Sequence, residues 1–283
     1  MKPPRLSRIA EEKPSILAVW SGRVAVFSAA IVISSLFLHR LFSIPTPVAL
    51  NLLKLSVLGG LVSLALAALA VIDIWRNGTR GVPRVLFGGL VALCIVGWPL
   101  TALPKVRALP EINDLTTDTV SPPPFVALAA GRPPGANRAE YPGALFATAQ
   151  RLAYPDLKPL LINRSVAEAY EVSVDAVRRL GMTSVSEVPP GDESPATGFI
   201  EAVDRTLVWG FYDDIVIRVS GNRLTAQVDV RSASRYGRHD LGRNAARVRD
   251  VLREIVSRLE ATVTGPRTSR SNKRQKPSKK KKR

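Results

Sequence analysis

Apolar residues are distributed unevenly along this chain: three long apolar runs fill residues 16–103, and strict apolar–polar alternation appears only after residue 200. A membrane-crossing helix needs about 20 mostly apolar residues, because the bilayer core holds no water to satisfy backbone amides and carbonyls. Residues 20–42, 48–75 and 85–103 each meet that requirement. Ile44-Pro45-Thr46-Pro47 makes the first connection, and residues 76–83 make the second. Trp20, Trp75 and Trp98 lie near segment ends, where an amphipathic ring anchors at the interface. Arg23 and Arg40 flank the first run, within snorkelling reach of the headgroups. That run is too long for a cleaved signal peptide, and no small-residue cleavage site follows it. Lys54 and Asp73 sit near the ends of the second run, and no ionisable residue occupies the centre of any span. Transporters and channels usually need such groups, so both classes are disfavoured. Gly59-Gly60 and Gly88-Gly89 read as close packing within a three-helix anchor.

Beyond Leu103 the chain turns polar and proline-rich; Pro122-Pro123-Pro124 and Pro133-Pro134 predict an extended connector over 104–140. A folded domain is expected from Tyr141, with a short helix over 144–153 closed by Tyr154-Pro155-Asp156. Ser165-Val166-Ala167-Glu168 is a capping-box pattern, and the helix it opens shows Val166, Ala169, Val177 and Leu180 on one face before Gly181 ends it. A strand over 183–188 comes next. Ile215, Ile217 and Val219 then alternate with Asp214, Val216 and Arg218, and Leu224, Ala226, Val228 and Val230 alternate with Thr225, Gln227, Asp229 and Arg231. Gly221-Asn222 between them predicts a two-residue hairpin turn that pairs Val219 with Leu224 and Ile217 with Ala226. Asp240 reads as the cap of a final helix over 241–260, with Val248, Leu252, Ile255, Val256 and Leu259 as its apolar stripe. The predicted fold class is three transmembrane α-helices followed by an α+β domain, an antiparallel sheet with helices packed on one face. The expected divisions are an N-terminal tail (1–19), the membrane segment (20–103), the connector (104–140), the domain (141–264) and a polybasic tail (265–283).

Charge sets the expected orientation. Lys2, Arg5, Arg8, Lys13, Arg23, Arg76, Arg80 and Arg84 lie on one side of the three spans, against Arg40, Lys105 and Arg107 on the other. Cytoplasmic loops carry the excess of basic residues, so the N-terminus is expected inside and the C-terminal domain outside, in the periplasm. The net charge of +17 changes the picture less than it promises, because residues 267–283 alone hold ten Lys or Arg and no acid. The folded part is only moderately basic and is not expected to bind nucleic acid. The tail is too charged and too poor in apolar residues to fold, and is expected to meet anionic lipid or an envelope polymer.

Candidate chemistry is sparse. Cys94 is the only cysteine, which excludes an internal disulfide, a Cys-rich zinc site and a CxxC redox pair. With only His39 and His239, a metal site would have to be carboxylate-rich; no metal or cofactor is implied. The two-residue turn sets Asp214 across from Asp229, a like-charge pair that needs an arginine such as Arg218 or Arg231, a cation, or a shared proton to offset it. The run Arg231-Ser232-Ala233-Ser234-Arg235-Tyr236-Gly237-Arg238-His239-Asp240 gathers hydroxyls and guanidinium groups ahead of a helix start, where an anion can bind. Its rival reading is a loop held by its own arginines and neighbouring carboxylates. Ser232 or Ser234 with His239 and Asp240 is too compact in sequence for a triad, and no nucleophile elbow is present. Residues 113–118 lack the spacing of a calcium loop. Trp209, Phe211 and Tyr212 interleave with Asp213 and Asp214, as core or edge packing or as a cluster that holds a sugar or lipid.

Several segments together resemble domain-of-unknown-function family 1499: residues 112–118, the Ala153-Tyr154-Pro155-Asp156-Leu157 run, Ile200-Glu201-Ala202, Trp209-Gly210-Phe211-Tyr212-Asp213-Asp214, and residues 229–244. The resemblance spans roughly 110–259 and leaves out the basic tail. It implies a bacterial protein, often with membrane segments ahead of the domain, and transfers no activity. It marks Asp213, Asp214, Arg231, Ser232, Ser234, Arg235 and Asp240 as motif residues. The expectation is therefore a membrane-anchored envelope protein of the inner membrane, in contact with the lipid bilayer. Its domain is expected to bind an anionic or polar ligand, through Asp213, Asp214, Asp229, Arg231, Ser232, Ser234, Arg235, Arg238 and Asp240, or a protein partner. The alternative is a hydrolase-like enzyme acting on an envelope substrate through Asp213, Asp214 and the 231–240 run.

Overall fold

The computed structural model describes residues 13–264, so the polybasic tail expected over 265–283 and most of the N-terminal tail lie outside the described residues. Three helices long and apolar enough to cross a membrane come first: α1 (Ile16–Phe42), α2 (Thr46–Asn77) and α3 (Val82–Leu100). α1 begins four residues before its apolar run, and α2 extends two residues past its run at each end, because capping, not hydropathy, ends a helix. Ser15 Oγ accepts the Ala18 amide at the start of α1, and Gly78, with φ of 65°, closes α2 in a left-handed cap. Pro47 in the first turn of α2 loses no helical hydrogen bond there. Small residues let the three helices approach. Ser63 donates to the Ser21 carbonyl, Ser35 donates to the Ala49 carbonyl, and a Cβ on Gly59 would collide with Ser28 Oγ. Gly88 meets the Gly22 backbone in the same way, which brings α3 against α1.

A short helix, α4 (Leu103–Ala108), leads into the domain. The elements that follow are β1 (Asp114–Thr116), α5 (Ala127–Ala130), α6 (Ala144–Ala153), β2 (Leu160–Ile162), α7 (Val166–Arg179), β3 (Thr183–Val188), β4 (Ala196–Arg205), β5 (Tyr212–Gly221), β6 (Ala226–Ser234) and α8 (Arg243–Thr264). The antiparallel sheet runs β1-β6-β5-β4-β3, and β2 shares the β6 edge with β1. The longer helices α7 and α8 cover one face, as expected. Ile200, Ile215, Ile217, Val219, Val228 and Val230 meet Val177, Val248, Val251 and Ile255 there in the main core. Ser165 caps α7 through the Glu168 amide.

Two expectations change. The segment 104–140, expected as an extended connector, carries regular structure and belongs to the domain: β1 pairs with β6 through Asp114↔Ala233 and Thr116↔Arg231, and residues 118–142 close over the second face of the sheet. Prolines and small residues gave no periodicity, yet their carbonyls are what the buried arginines of that face need. The hairpin also closes later than predicted, with Gly221↔Ala226, Val219↔Val228 and Ile217↔Val230 in register. The Asn222 carboxamide oxygen accepts the Leu224 and Thr225 amides, so residues 222–225 make the turn. Arg218, not Asp214, therefore stands across from Asp229, and Asp214 faces Ala233. Gly221 has φ of 155°, and a Cβ on it would collide with the Thr225 carbonyl oxygen. Gly221→Ala is expected to cost about 1–3 kcal/mol of domain stability; an unchanged thermal midpoint of the full chain in detergent would refute the clash.

Domain and helices meet at the β4–β5 loop. His39 is buried in the last turns of α1; its Nδ1 donates to the Trp209 carbonyl (2.7 Å) and its Nε2 lies 3.0 Å from Thr46 Oγ1. Because a carbonyl only accepts, the proton is on Nδ1. Arg205 Nη2 donates to the His39 and Arg40 carbonyls at 3.0 and 2.8 Å, satisfying acceptors that the end of α1 leaves free. Trp209 packs against Trp98 of α3, with ring centroids 5.2 Å apart.

Candidate functional site

Adjacent residues on a strand point to opposite faces, so the sheet divides the predicted site. Asp214, Asp229, Arg231 and Arg235 belong to the second face; Asp213, Ser232 and Ser234 belong to the helical face. On the second face, the Arg231 guanidinium grips Asp114 bidentately (2.9 and 2.7 Å) and donates to the Pro123 and Ala139 carbonyls. It lies between the rings of Phe125 and Tyr141, at 4.5 and 5.5 Å from their centroids. Arg132 and Arg235 both pair with Asp214, at 2.8 and 2.7 Å. Arg218 bridges Asp229 and Asp118, while Thr117 and Gln227 fill further positions on Asp229. Glu201 accepts the Val126, Ala127 and Leu128 amides, fixing the start of α5 on the sheet. These bonds make the proline-rich segment part of the domain.

The helical face has its own network at the end of the sheet. Arg247 of α8 donates to Asp204 (2.7 Å) and Asp213 (2.6 Å), and also to Ser232 Oγ and Asn244 Oδ1. Asn244 in turn takes the Ser232 hydroxyl and donates to Ser234 Oγ and the Asn113 carbonyl. Asp240 caps α8 by accepting the Gly242 and Asn244 amides, although the regular helix begins only at Arg243. Burial nevertheless pushes its carboxyl above the usual range. His239 spends Nε2 on the Leu109 carbonyl and Nδ1 on the Leu241 amide, so no hydroxyl–imidazole–carboxylate relay forms with Ser232 or Ser234. Arg238 extends into solvent beside Glu111. The predicted residues are thus nearby in sequence but do not converge on one cleft.

The cleft beside them is built partly from residues that motif reading passed over. It encloses about 380 Å³ between the 137–142 segment and the end of β6, lined by Asn113, Asp114, Asn137, Tyr141, Ala233 and Ser234 among others. The Asn137 amide group bonds to the Ser234 and Gly237 carbonyls, which holds the wall in place. Tyr141 carries a buried hydroxyl with no hydrogen-bond partner. Burial, aided by the Asp114 charge, pushes that phenol up to about 12, so it remains a donor at any physiological pH. Burial also raises the Asp114 carboxyl, against the opposing pull of Arg231. Charged or amide side chains on helix stripes and strand interiors (Asn244, Arg247, Glu201) were the legible signal for both networks; Asn137 and Tyr141 had none.

Three apolar helices and a mixed domain with a six-stranded antiparallel sheet define a class: a membrane-type helical unit fused to an α+β domain. The chain belongs to the family described as "Protein of unknown function (DUF1499)", whose model matches residues 114–255, half of the sequence. The match begins on β1, at the first residue of the sheet, and ends within α8. No curated protein and no solved structure matches the chain.

Proposed function

We propose that this is a bacterial envelope protein, anchored in the inner membrane with its α+β domain on the periplasmic side, and that the domain binds a polar or anionic small molecule in the Tyr141 cleft. The observation that carries the binding reading is the Tyr141 hydroxyl, a buried donor without a partner on the wall of a polar cleft. Leaving such a donor unmade costs about 1–3 kcal/mol, which a ligand oxygen would recover. Orientation rests on the excess of arginine and lysine at the far end of the three helices from the domain. The basic tail would then face anionic headgroups or an envelope polymer. A hydrolase acting through paired aspartates draws no support from the geometry, since Asp213 and Asp214 face opposite sides of the sheet, each held by arginine.

Two experiments test this reading. A reporter active only outside the cytoplasm, fused after Thr264, is expected to work, and a cytoplasmic reporter at the same site to fail; the reverse overturns the orientation. Inorganic phosphate, sulfate and N-acetylated amino sugars are then titrated against the full chain in detergent while thermal unfolding is followed. At least one is expected to raise the midpoint, and Tyr141→Phe to reduce the apparent affinity about ten-fold, as loss of one buried hydrogen bond does. A shift that Tyr141→Phe leaves intact would move the site elsewhere.

A further inference from the structure

A cavity of about 580 Å³ lies far from the domain, between the opening turns of α1 and α3. Gly22 and Gly88 bring the two helices together, and the groove beside that contact is walled by Val26, Phe27, Ala30 and Phe87. Phe27 and Phe87 remain 67 % and 54 % exposed, which leaves the apolar wall open. Arg23 and Arg84 stand at the mouth, and no acidic residue lines it. Arg132, Arg205, Arg218, Arg231, Arg235 and Arg247 all hold carboxylates or carbonyls. Among the described residues Arg23 and Arg84 hold neither; Arg23 only overlies the Trp20 ring at 5.4 Å.

We propose that this groove binds an anionic phospholipid, with Arg23 and Arg84 on the phosphate and an acyl chain along Val26, Phe27, Ala30 and Phe87. The proposal rests on the membrane part of the reading above and is independent of the Tyr141 cleft. Arg23 lies about 10 Å along α1 and Ala30 about 10 Å further, so the groove leads from headgroup depth into the hydrocarbon. Two guanidinium groups without a carboxylate match a headgroup of net negative charge. A free phosphate ion would leave the apolar wall unused, which is why the occupant is a lipid.

The test is native mass spectrometry of the full chain from detergent containing equal phosphatidylglycerol and phosphatidylcholine. Preferential retention of phosphatidylglycerol is expected. Arg23→Gln with Arg84→Gln should weaken it about five-fold per arginine, the effect of one cation at an anionic surface. Ala30→Trp, on an exposed position, should fill the groove and lower retention of the same lipid, while Arg76→Gln at the end of α2 leaves it unchanged. Equal loss from Arg76→Gln, or no loss from the double substitution, overturns the site. Displacement of the lipid by millimolar phosphate would overturn the acyl-chain half of the proposal. Alkaline carbonate extraction separates these outcomes from failure of the membrane reading, because a chain that does not span the bilayer is released to the supernatant.

Discussion

Asp114→Ala is expected to cost the domain about 3–5 kcal/mol, the usual consequence of leaving one member of a buried ion pair alone. Arg231 is 2 % exposed, its two carbonyl partners cannot neutralise it, and the rings of Phe125 and Tyr141 close off water on either side. The pair itself is a different matter. Burial raises the Asp114 carboxyl more than Arg231 lowers it, so ionising it is harder in the folded protein than in the unfolded chain. A folded-state value above the unfolded one contributes stability that is fully present below the ordinary carboxylate range and is lost as pH rises through the folded value. Desolvation offsets much of the attraction in a buried pair, so the pair adds little net stability, although breaking it is expensive. Asp114→Leu with Arg231→Met, which removes both charges and keeps the volume, is expected to restore most of the loss. Thermal unfolding of the full chain in detergent reads the cycle. A double variant no more stable than Asp114→Ala would mean that the arginine, not its isolation, governs the face.

The elements of this fold were largely legible, and the misreadings have definite physical causes. Alternation assigned Ile215, Ile217 and Val219 to the same face as Ala226, Val228 and Val230, and that is where they lie. It did not determine which residue stands opposite which, because the true pairing differs from the two-residue turn by an even number of residues, and an even shift preserves both faces. The decision fell to Asn222, whose side chain stabilises a longer turn. The like-charge Asp214–Asp229 pair came from the register alone and disappears with it. Period two also implied that Asp213 and Asp214 part company, which motif reading overlooked by treating neighbours in sequence as neighbours in space. Proline-rich segments carry no periodicity, so the attachment of residues 118–142 depended on Glu201, Arg132 and Arg231, contacts that reach across 75 to 108 positions and leave no local trace.

Arg205→Ala is expected to uncouple the domain from the three helices while leaving each folded. The side chain serves both parts: Nη2 reaches the His39 and Arg40 carbonyls at the end of α1, and Nε holds the Gly210 carbonyl within its own loop. Gly210 is left-handed, with φ of 71°, and the Thr206 hydroxyl accepts the Phe211 amide, so the loop has little freedom to find substitute partners. Truncating a charged group that bridges two surfaces costs about 2–5 kcal/mol, much of it from acceptors left bare. His39→Ala removes a hydrogen bond to the Trp209 carbonyl across the junction, a single bond where Arg205 makes two charge-assisted ones. The smaller effect is therefore expected from the histidine. Hydrogen exchange of the full chain in a lipid nanodisc distinguishes the two roles: Arg205→Ala should expose amides 206–211 and the last turn of α1 while strands β5 and β6 keep their protection. Arg205→Lys preserves the charge but not the fork that spans two carbonyls, and should recover only part of the protection. Protection lost throughout the sheet would instead make Arg205 a determinant of the domain's own stability, and the junction would then rest on Trp98, Trp209 and His39.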